Sequence, residues 1–483
     1  VIQKGRKMEQ INILSQSSAI LLTLVLSGIF VILGIFYSKK YQGLNNYLVA
    51  NRSIETFSLT SSFVSSALGA WILFGPASAA TWGGIGAVIG YALGTAFPLF
   101  ILIYLGQKFR KFYPKGKTLI EVIRLRFGKK LFKLILFLSI FYMTIFLIAE
   151  VTAVSILVKY ISGTDLWITA LVIIISSLIY TLYGGLRASI FTDNIQFVVF
   201  GLLLLVGFSY LISFNSNEFN FEFINLNKPH LLSSSYMPNF TAGLTFFIAV
   251  AATNLFHQGN WQRVYAAKDN KVLKNSLIIS FIIIIPIVFI MGFSGLIAIS
   301  QNNNVFPDLA FFSLLLKEQT FTLSIIILLL AISLTVSSID TLINAISSLI
   351  IVDVNKVVEF KGNYLNVSKQ IIIFLSLIAF FVASKGLSIL YLFLLADLFC
   401  CSAVLTVFYS FYDKSIKEKN AYLSIIIGLT VGLLLFPSPD FSRSILVGIL
   451  LPMDFFPSFI ANSLLFTSFI SATFFPLLTW KIK

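Results

Sequence analysis

The sequence predicts an all-α polytopic membrane protein with about thirteen transmembrane helices, and three observations support this fold class. Hydrophobic residues make up 58% of the chain and charged residues only 11%, whereas soluble proteins are roughly a quarter charged. Positive charges concentrate in alternate loops between apolar runs. Thirteen of these runs are long enough to cross a bilayer; they begin near Ser18, Phe57, Gly84, Leu131, Leu166, Thr192, Thr241, Ser276, Phe321, Gln370, Ser388, Tyr422 and Phe456.

The loop charges predict the orientation of the chain. With the N-terminus outside, the seven segments predicted to lie inside hold 26 of the 34 Lys and Arg residues, and the outside loops hold four. Because Lys and Arg accumulate on the cytoplasmic side of membranes, we expect an external N-terminus and a cytoplasmic C-terminus. Lys4, Arg6 and Lys7 in the leading tail oppose this rule. The abundance of Ile, Phe, Lys and Asn favours a bacterial inner (plasma) membrane.

Composition also argues against several classes of protein. The net charge of +15 lies in short loops, so we expect the lipid bilayer rather than nucleic acid as the partner, and no obligate protein partner. Cys400 and Cys401 are adjacent in an apolar run, and with His230 and His257 they form no spacing typical of zinc or iron sites. We find no nucleophile–base pair and no phosphate loop. We therefore expect neither an enzyme nor a bound cofactor.

The second and seventh spans contain helix-breaking residues. The second carries Ser65, Ser66, Gly69, Gly75 and Pro76 in mid-membrane, and the seventh is polar over residues 253–262. Discontinuous helices at matching positions in two halves are typical of inverted-repeat transporters, because unwound backbone offers carbonyl and amide groups to a substrate or ion. The alternative is that Gly and Pro serve helix packing, as they commonly do in membranes.

The ninth span carries a row of small oxygen-bearing side chains. On a helix, Ser337, Thr341, Asn344 and Ser348 lie on one narrow stripe, and Asp340 borders it. Hard cations prefer oxygen ligands, and a carboxylate inside a membrane requires a partner or an ion. The pattern therefore indicates an alkali-cation site. The alternative is that the Ser and Thr hydroxyls donate to carbonyl groups one turn earlier in the same helix and allow close helix packing. This explains the Ser and Thr residues equally well, but it explains the Asp340 carboxylate poorly.

Three stretches of the sequence together resemble one transporter family. They are YTLYGGLRASIFTDNIQ (180–196), WQRVYAAKD (261–269) and SSIDTLINAISS (337–348). These resemble the sodium/solute symporter family, relatives of the bacterial sodium/proline and sodium/sugar symporters. The resemblance implies a leucine-transporter-type 5+5 inverted repeat with one extra N-terminal and two extra C-terminal helices. The implied organisation is an N-terminal helix with its inner loop (1–55), a first repeat (56–214), an outer loop (215–239), a second repeat (240–412) and two final helices (413–483).

The resemblance implies a sodium site between the first broken helix and the ninth span. Carbonyl groups of Ser65, Leu68 and Leu334 and hydroxyl groups of Ser337 and Ser338 would bind the ion. Leu334 stands where relatives tend to have Ala. Some relatives bind a second cation, and the matching residues here are Asp193, Asp340 and Thr341. The alternative for Asp193 is a carboxylate at a helix N-terminus, which the helix dipole favours.

The resemblance leaves the substrate open. The sodium/proline symporter carries an Asp in its first broken helix where this chain has Ala67. The sugar branch has polar, sugar-binding residues in its early helices, whereas residues 69–76 here are smaller and more apolar. We expect a cavity suited to a small zwitterion or a neutral polar solute such as urea. Glu150 and Asp397 are further intramembrane acids, and each is a candidate functional residue. The residues expected to face the substrate are Ser66, Gly69, Trp71, Asn254, His257, Gln258 and Trp261.

The resulting hypothesis is a sodium-coupled symporter that imports a small organic solute, a proline-like amino acid or another small polar molecule, by alternating access. Urea or polyamine uptake coupled to sodium is an alternative. A proton-coupled carrier would use Asp193, Asp340 or Glu150 as its proton site. A passive solute channel is the alternative of a different class, and the paired helix breaks argue against it.

Overall fold

The structure, a computed structural model, describes residues 11–41, 43–214, 217–318, 320–358, 364–450 and 456–480. Five 3₁₀ helices and nineteen α-helices make up the regular secondary structure of this part of the chain, with two isolated β-bridges. The 3₁₀ helices are Ala50–Arg52, Ala70–Leu73, Pro229–Leu232, Pro307–Leu309 and Val354–Lys356. The α-helices are α1 (Gln16–Ser38), α2 (Leu44–Val49), α3 (Thr56–Ala67), α4 (Gly75–Phe112), α5 (Leu119–Phe127), α6 (Lys129–Ser162), α7 (Leu166–Phe214), α8 (Phe221–Asn227), α9 (Met237–Phe256), α10 (Gln258–Ala266), α11 (Asn270–Gln301), α12 (Ala310–Leu315), α13 (Phe321–Val352), α14 (Tyr364–Ala383), α15 (Ile389–Tyr409), α16 (Glu418–Leu435), α17 (Val447–Leu450), α18 (Ser458–Asn462) and α19 (Leu464–Thr479).

Each of the thirteen predicted spans corresponds to helical structure. Ten described helical segments are long and apolar enough to cross a membrane, and Leu166–Ile179 and Leu464–Thr479 are shorter apolar helices. The remaining predicted span consists of α3 together with the start of α4. The predicted all-α polytopic architecture is therefore confirmed.

Two of the long helices contain a sharp turn at a glycine and so hold parts of two spans. Gly84 in α4 has φ 57° and Gly185 in α7 has φ 59°, values that favour glycine because a Cβ atom is disfavoured there. At Gly84 a Cβ atom would also lie 1.8 Å from Asn239 Oδ1. The start predicted near Thr192 was seven residues late, because the chain already turns at Gly185 within an apolar stretch.

Loops predicted to share one side of the membrane contact each other. The Arg110 guanidinium donates to the carbonyl oxygens of Val264 and Ala267, both at 2.8 Å. Arg126, in the same predicted inside segment as Arg110, donates through Nη2 to Asp413 O at 3.1 Å. These contacts join three segments that the charge alternation predicts to lie on one side of the membrane. Lys4, Arg6 and Lys7, and the last three residues 481–483, lie outside the described residues.

Both predicted helix discontinuities are confirmed. α3 ends at Ala67, Leu68 has non-helical backbone (φ −103°, ψ 79°), and a 3₁₀ turn leads into α4. In the other half, α9 ends at Phe256, His257 is extended (φ −60°, ψ 107°), and α10 follows at once. Each break exposes helix-end carbonyl and amide groups that lack partners within their own helix. α13 is largely buried and packs against α3, α6, α7 and α10, so both breaks lie beside it.

Candidate functional site

A small cavity of about 50 Å³ lies between the two helix breaks. Ser66 and Trp71 line it from either side of the first break, and Asn254 and His257 line it at the second. Side chains from α4, α6, α13 and α15 complete the wall. A volume of this size holds a few water molecules or a small chemical group. The two discontinuities therefore meet at one binding-sized space.

Two carboxylates line this cavity from α6 and α15, two helices that pack against each other. Glu150 on α6 is 2% exposed, and its Oε2 accepts a hydrogen bond from the Ala70 backbone N–H at 3.0 Å. Asp397 on α15 is 4% exposed, and its Oδ1 accepts from Thr253 Oγ1 at 2.6 Å. Within the described residues, no Lys or Arg side chain forms an ion pair with either acid. Buried carboxylates without a cationic partner are energetically unfavourable.

Four aromatic side chains form much of the remaining wall. The Trp71 ring lies 5.8 Å from Tyr91 and 6.4 Å from Phe393, and Phe146 lies 4.8 Å from Phe393, measured between ring centroids. The face of an aromatic ring carries partial negative charge and attracts cations. The cavity wall therefore combines two acids with four aromatic rings.

Two buried polar atoms at the cavity lack hydrogen-bond partners among the described residues. They are Ser338 Oγ and His257 Nδ1, and both residues line the cavity with less than 8% of their surface exposed. A Cβ atom built on Gly69 would lie 2.4 Å from Ser338 Oγ and 2.2 Å from Glu150 Oε1. Both oxygens therefore lie beside the backbone of the first break, and only glycine leaves room for them there.

The residues predicted to bind sodium lie at the interface of the first break and α13. Ser65, Leu68, Leu334 and Ser337 are all fully buried, and α13 packs against α3 and against the 3₁₀ turn after the break. Ser65 belongs to the last turn of α3, whose carbonyl groups have no partner further along the helix. The Ser337 hydroxyl donates its hydrogen to Asp193 Oδ1 at 2.7 Å. Its oxygen lone pairs are therefore available to a cation.

Asp193 forms a buried ion pair that the sequence did not reveal. Its Oδ2 accepts from Arg263 Nη2 at 2.8 Å and from Ser62 Oγ at 2.5 Å, and both charged side chains have zero exposure. Arg263 also donates through Nε to the Ser62 hydroxyl at 2.7 Å and through Nη2 to Thr341 Oγ1 at 2.9 Å. One arginine thus joins α10 to α3, α7 and α13.

Asp340 lies in an adjoining cluster. Its Oδ1 accepts from Ser189 Oγ at 2.6 Å and its Oδ2 from Thr192 Oγ1 at 3.2 Å. Thr341 Oγ1 lies 3.4 Å from Asp340 Oδ1 and also accepts from Arg263. The three residues considered for a second cation are therefore connected, but the guanidinium of Arg263 already supplies a positive charge there. Among the described residues, no group of three or more His, Cys, Asp and Glu side chains could hold a metal ion.

The three sequence stretches that carried the family resemblance converge on this cluster. Asp193 belongs to the first stretch, Arg263 to the second, and Ser337 and Thr341 to the third. Ser62, on the first broken helix, completes the cluster. The three motifs therefore serve one tertiary arrangement, which links one half of each broken helix, α3 and α10, on the side predicted to face the cytoplasm.

The residues predicted to contact substrate divide into two groups. Ser66, Trp71, Asn254 and His257 line the cavity, and Gly69 adjoins it through Glu150 and Ser338. Gln258 and Trp261 lie elsewhere. Gln258 accepts from Leu119 N at 3.0 Å and donates to Ser348 Oγ at 3.2 Å, while Trp261 stacks on Phe109 and donates to Leu255 O.

Several residues at the site were not predicted. Thr253, Tyr91, Phe146 and Phe393 line the cavity, but Phe is so abundant in this chain, with 50 residues, that no single position is distinguished. For the Asp193–Arg263 ion pair, the sequence did contain a signal in Arg263, because an arginine within an otherwise buried segment requires an acidic partner.

A second, larger cavity of about 850 Å³ lies at the predicted outer end, where Trp82, Tyr236, Asp440 and Phe441 contribute to its wall. Trp82 lies 5.8 Å from Phe246, and Phe246 lies 4.5 Å from Tyr91 of the central cavity, between ring centroids. A column of aromatic rings therefore separates this vestibule from the central cavity.

Solved structures of transporters are similar to this chain. A Na⁺-coupled sialic acid symporter in a substrate-bound, outward-open state has a TM-score of 0.67 at 17% identity, covering 95% of this chain and 97% of that one. Mhp1, a nucleobase–cation symport-1 family transporter in a closed conformation with bromovinylhydantoin bound, has a TM-score of 0.58 at 14% identity, covering 91% and 94%. At these identities the likeness establishes the fold, and the predicted leucine-transporter-type fold is confirmed.

Curated relatives are transporters of different solutes. The spermidine transporter DUR31 of Candida albicans is 26% identical over 390 residues, covering 79% of this chain and 72% of that protein. Sodium/glucose cotransporter 1 of Ovis aries is 27% identical over 185 residues, and the urea active transporter of Saccharomyces cerevisiae is 25% identical over 170 residues. These two matches cover 36% and 35% of this chain and about a quarter of each relative, 26% and 23%.

The family model described as "Sodium:solute symporter family" matches residues 47–428, which is most of the chain. The matched region contains both helix breaks, the central cavity and the Asp193–Arg263 cluster. The chain belongs to the sodium:solute symporter family.

Proposed function

We propose that this protein is a sodium-coupled symporter that imports a small organic solute by alternating access, with the substrate bound in the central cavity. The observation that carries this proposal is that both helix breaks border one cavity, which also contains the unpartnered Ser338 hydroxyl at the first break. Sodium bound at that break contacts the wall of the substrate site, so the two ligands can stabilise the same conformation.

We assign sodium to the carbonyl groups of Ser65, Leu68 and Leu334 and the hydroxyl groups of Ser337 and Ser338. Sodium at this position joins α3 to α13. Its departure toward the cytoplasm frees the two helices to separate. The membrane potential drives this step with about 2.3 kcal/mol per charge for each 100 mV.

The Asp193–Arg263 cluster is proposed to close the cytoplasmic side. Arg263 contacts Ser62 on the first broken helix and lies on the second half of the other, so an inward-open state requires these helices to move apart. We propose that Arg263 takes the place of a second sodium among Asp193, Asp340 and Thr341. The stoichiometry would then be one sodium ion per transport cycle.

The orientation, location and repeat boundaries predicted from the sequence remain part of this proposal. The external N-terminus, the cytoplasmic C-terminus and the bacterial plasma membrane rest on loop charge and composition. The division at residues 56, 215, 240 and 413 rests on span counting.

A proton-coupled carrier of the same fold is the second candidate. Glu150 and Asp397 favour it, because intramembrane acids without a cationic partner are typical of proton relays. In that case uptake follows the pH gradient and is indifferent to sodium.

The test is a thermal-stability screen of the purified protein in sodium, potassium or choline chloride, followed by uptake into proteoliposomes. We expect a sodium-specific rise in melting temperature and solute accumulation that requires an inward sodium gradient. Stabilisation equal in all three salts, with uptake driven by pH alone, would reject sodium coupling in favour of the proton-coupled carrier. Equilibration without accumulation would indicate a channel.

A further inference from the structure

We infer that the central cavity selects an organic amine and binds its ammonium group between Asp397 and Glu150. This inference rests on the proposed function and assigns its substrate class. Four features of this cavity, all taken from the described residues, support it: two buried acids, aromatic walls, polar atoms without hydrogen-bond partners, and a lining without Lys or Arg.

The first feature is uncompensated negative charge. Asp397 receives only the Thr253 hydroxyl as a hydrogen-bond donor in the described residues, and Glu150 receives the Ala70 N–H. Neither donor carries a positive charge, and each carboxylate is at least 96% buried. Two ionised acids so close to one small cavity are unfavourable until cations arrive. One sodium ion and one ammonium group together neutralise both.

The second feature is the shape of the wall. Trp71, Tyr91, Phe146 and Phe393 surround the space with ring faces and edges. Binding sites for organic cations commonly combine a carboxylate with aromatic residues. The rings contact the alkyl part of the ligand, and their faces attract its positive charge. A sugar would instead require many hydrogen-bonding groups, whereas much of this wall is apolar.

The third feature is a pair of unpartnered polar atoms at the cavity. Ser338 Oγ and His257 Nδ1 are buried without hydrogen-bond partners among the described residues. A buried polar atom without a partner costs about 1–3 kcal/mol, so a ligand that bonds to it is favoured. Ser338 lies beside Glu150 at the first break and serves the sodium. The His257 ring nitrogen can accept an N–H of the ammonium group.

The fourth feature concerns zwitterions. Among the described residues that line the cavity, none is Lys or Arg. A proline-like amino acid would add a third carboxylate to this space without a fixed cation to receive it. The charge balance therefore favours a simple amine over the amino acid that the sequence alone suggested.

The cavity is small, so it accommodates the ammonium end of the substrate with its adjoining carbons. The remainder of a longer amine extends toward the aromatic column when the outer side opens. Glu150 contacts both the sodium region and the cavity, which makes it the residue through which sodium can favour amine binding. Asp397 lies on the neighbouring helix α15 and is the principal ammonium ligand.

The experiment compares putrescine, butylamine and butanol, which carry two, one and no ammonium groups on the same carbon chain. Binding to the purified protein is measured by thermal shift in sodium and in potassium. We expect both amines to stabilise the protein in sodium and butanol to have no effect. Asp397→Asn is expected to weaken amine binding by about 10-fold to 100-fold while retaining the shift caused by sodium alone.

Asp308→Asn is the matched control, because Asp308 is also a buried acid bonded by a neutral donor, Ser78, at 3.0 Å, yet it does not line the cavity. It should bind amines as the wild type does. If Asp397→Asn does not fold, Glu150→Gln and the wild-type comparison of butylamine with butanol still decide the question.

Failure of this inference differs from failure of sodium coupling. A sodium-specific shift that proline, urea or glucose enlarges and amines do not would overturn the amine assignment and leave the symporter intact. Wild-type amine affinity in both Asp397→Asn and Glu150→Gln would overturn it as well. The absence of any sodium effect in the wild type would instead reject the proposed function.

Discussion

Buried carboxylates in two regions of this transporter have contrasting surroundings. On the predicted cytoplasmic side, three of them are paired with cations: Asp193 with Arg263 at 2.8 Å, and Glu121 and Asp353 with Lys356 at 2.8 and 3.5 Å. At the central cavity, Glu150 and Asp397 receive only neutral donors among the described residues. The paired acids join helices to each other, whereas the cavity acids have charge available for a ligand.

This difference has an energetic basis. Removing one member of a buried ion pair strands the other, which costs about 3–5 kcal/mol. Neutralising a buried acid that has no cationic partner strands nothing and relieves a desolvation penalty. Substitutions in the two regions should therefore have opposite effects on stability even where they are chemically identical.

The largest effect is expected at Arg263. Arg263→Met leaves Asp193 charged and buried, so we expect a loss of about 3–5 kcal/mol and little folded protein. The double variant Arg263→Met with Asp193→Asn should recover part of the loss. The measurement is the yield and melting temperature of the detergent-purified protein by size-exclusion chromatography. Equal stability of the single and double variants would show that the pair does not behave as a unit.

The same substitution, Asp to Asn, can be made in both regions, at Asp193 and at Asp397, and its effect on stability compared. The first should lower the melting temperature, because Arg263 loses its counter-charge. The second should leave the melting temperature of the sodium-bound, amine-free protein unchanged or higher. If both variants lose stability equally, the distinction between paired acids and ligand-binding acids is wrong.

The next largest effect is expected at the first helix break. In Gly69→Ala, the new methyl group would collide with Glu150 Oε1 and Ser338 Oγ, displacing the groups assigned to substrate and sodium. Overpacking of this kind costs about 1–3 kcal/mol, so sodium-driven uptake should fall by about 5-fold or more. Gly207→Ala on α7 is the control, since nothing lies within 4 Å of its added Cβ atom. Uptake at the wild-type rate in Gly69→Ala would exclude the proposed crowding at this break.

The sequence was sufficient to predict the regions but not the contacts within them. Apolar runs specify spans because a bilayer requires about twenty apolar residues, and Gly69, Gly75 and Pro76 mark the first break because they weaken a helix. The Asp193–Arg263 pair joins residues 70 positions apart in sequence. Its formation depends on how α7 and α10 pack, and no local pattern encodes that packing.

The second break explains why two of the predicted substrate residues lie elsewhere. His257 is extended, so α10 begins at Gln258 with a helical phase unrelated to that of α9. Each residue on a helix is rotated by about 100° from its neighbour, and a new phase cannot be inferred from the preceding helix. Asn254 and His257 therefore reach the cavity, while Gln258 bonds to Leu119 and Ser348 and Trp261 stacks on Phe109.

A smaller effect separates two adjacent serines. The Ser337 hydroxyl donates to Asp193, whereas the Ser338 hydroxyl has no partner among the described residues. Ser337→Ala should lower stability by about 1–3 kcal/mol, because a hydrogen bond to a buried charge is lost, and Ser338→Ala should change it by less than about 0.5 kcal/mol. Both should weaken sodium affinity, measured by the sodium dependence of the melting temperature. Unchanged sodium affinity in both would remove them from the sodium site.

The smallest effect is expected at Asp440, a partly exposed acid of the outer vestibule. Hydrogen bonds from the Ser438 and Ser442 hydroxyl groups, at 2.6 and 2.8 Å, lower the pKa of Asp440 to about 2. A lowered pKa means that its stabilising bonds are fully present above the ordinary value of about 3.9 and are lost only as the pH falls toward 2.

Asp440 is therefore ionised throughout pH 5–8, and Asp440→Asn should change amine uptake by less than about two-fold, because a partly exposed charge is screened by salt. The wild type and the variant should have parallel pH profiles of uptake in this range. A pH dependence of uptake that disappears in Asp440→Asn would show that Asp440 titrates within this range, and it would contradict the lowered pKa of this acid.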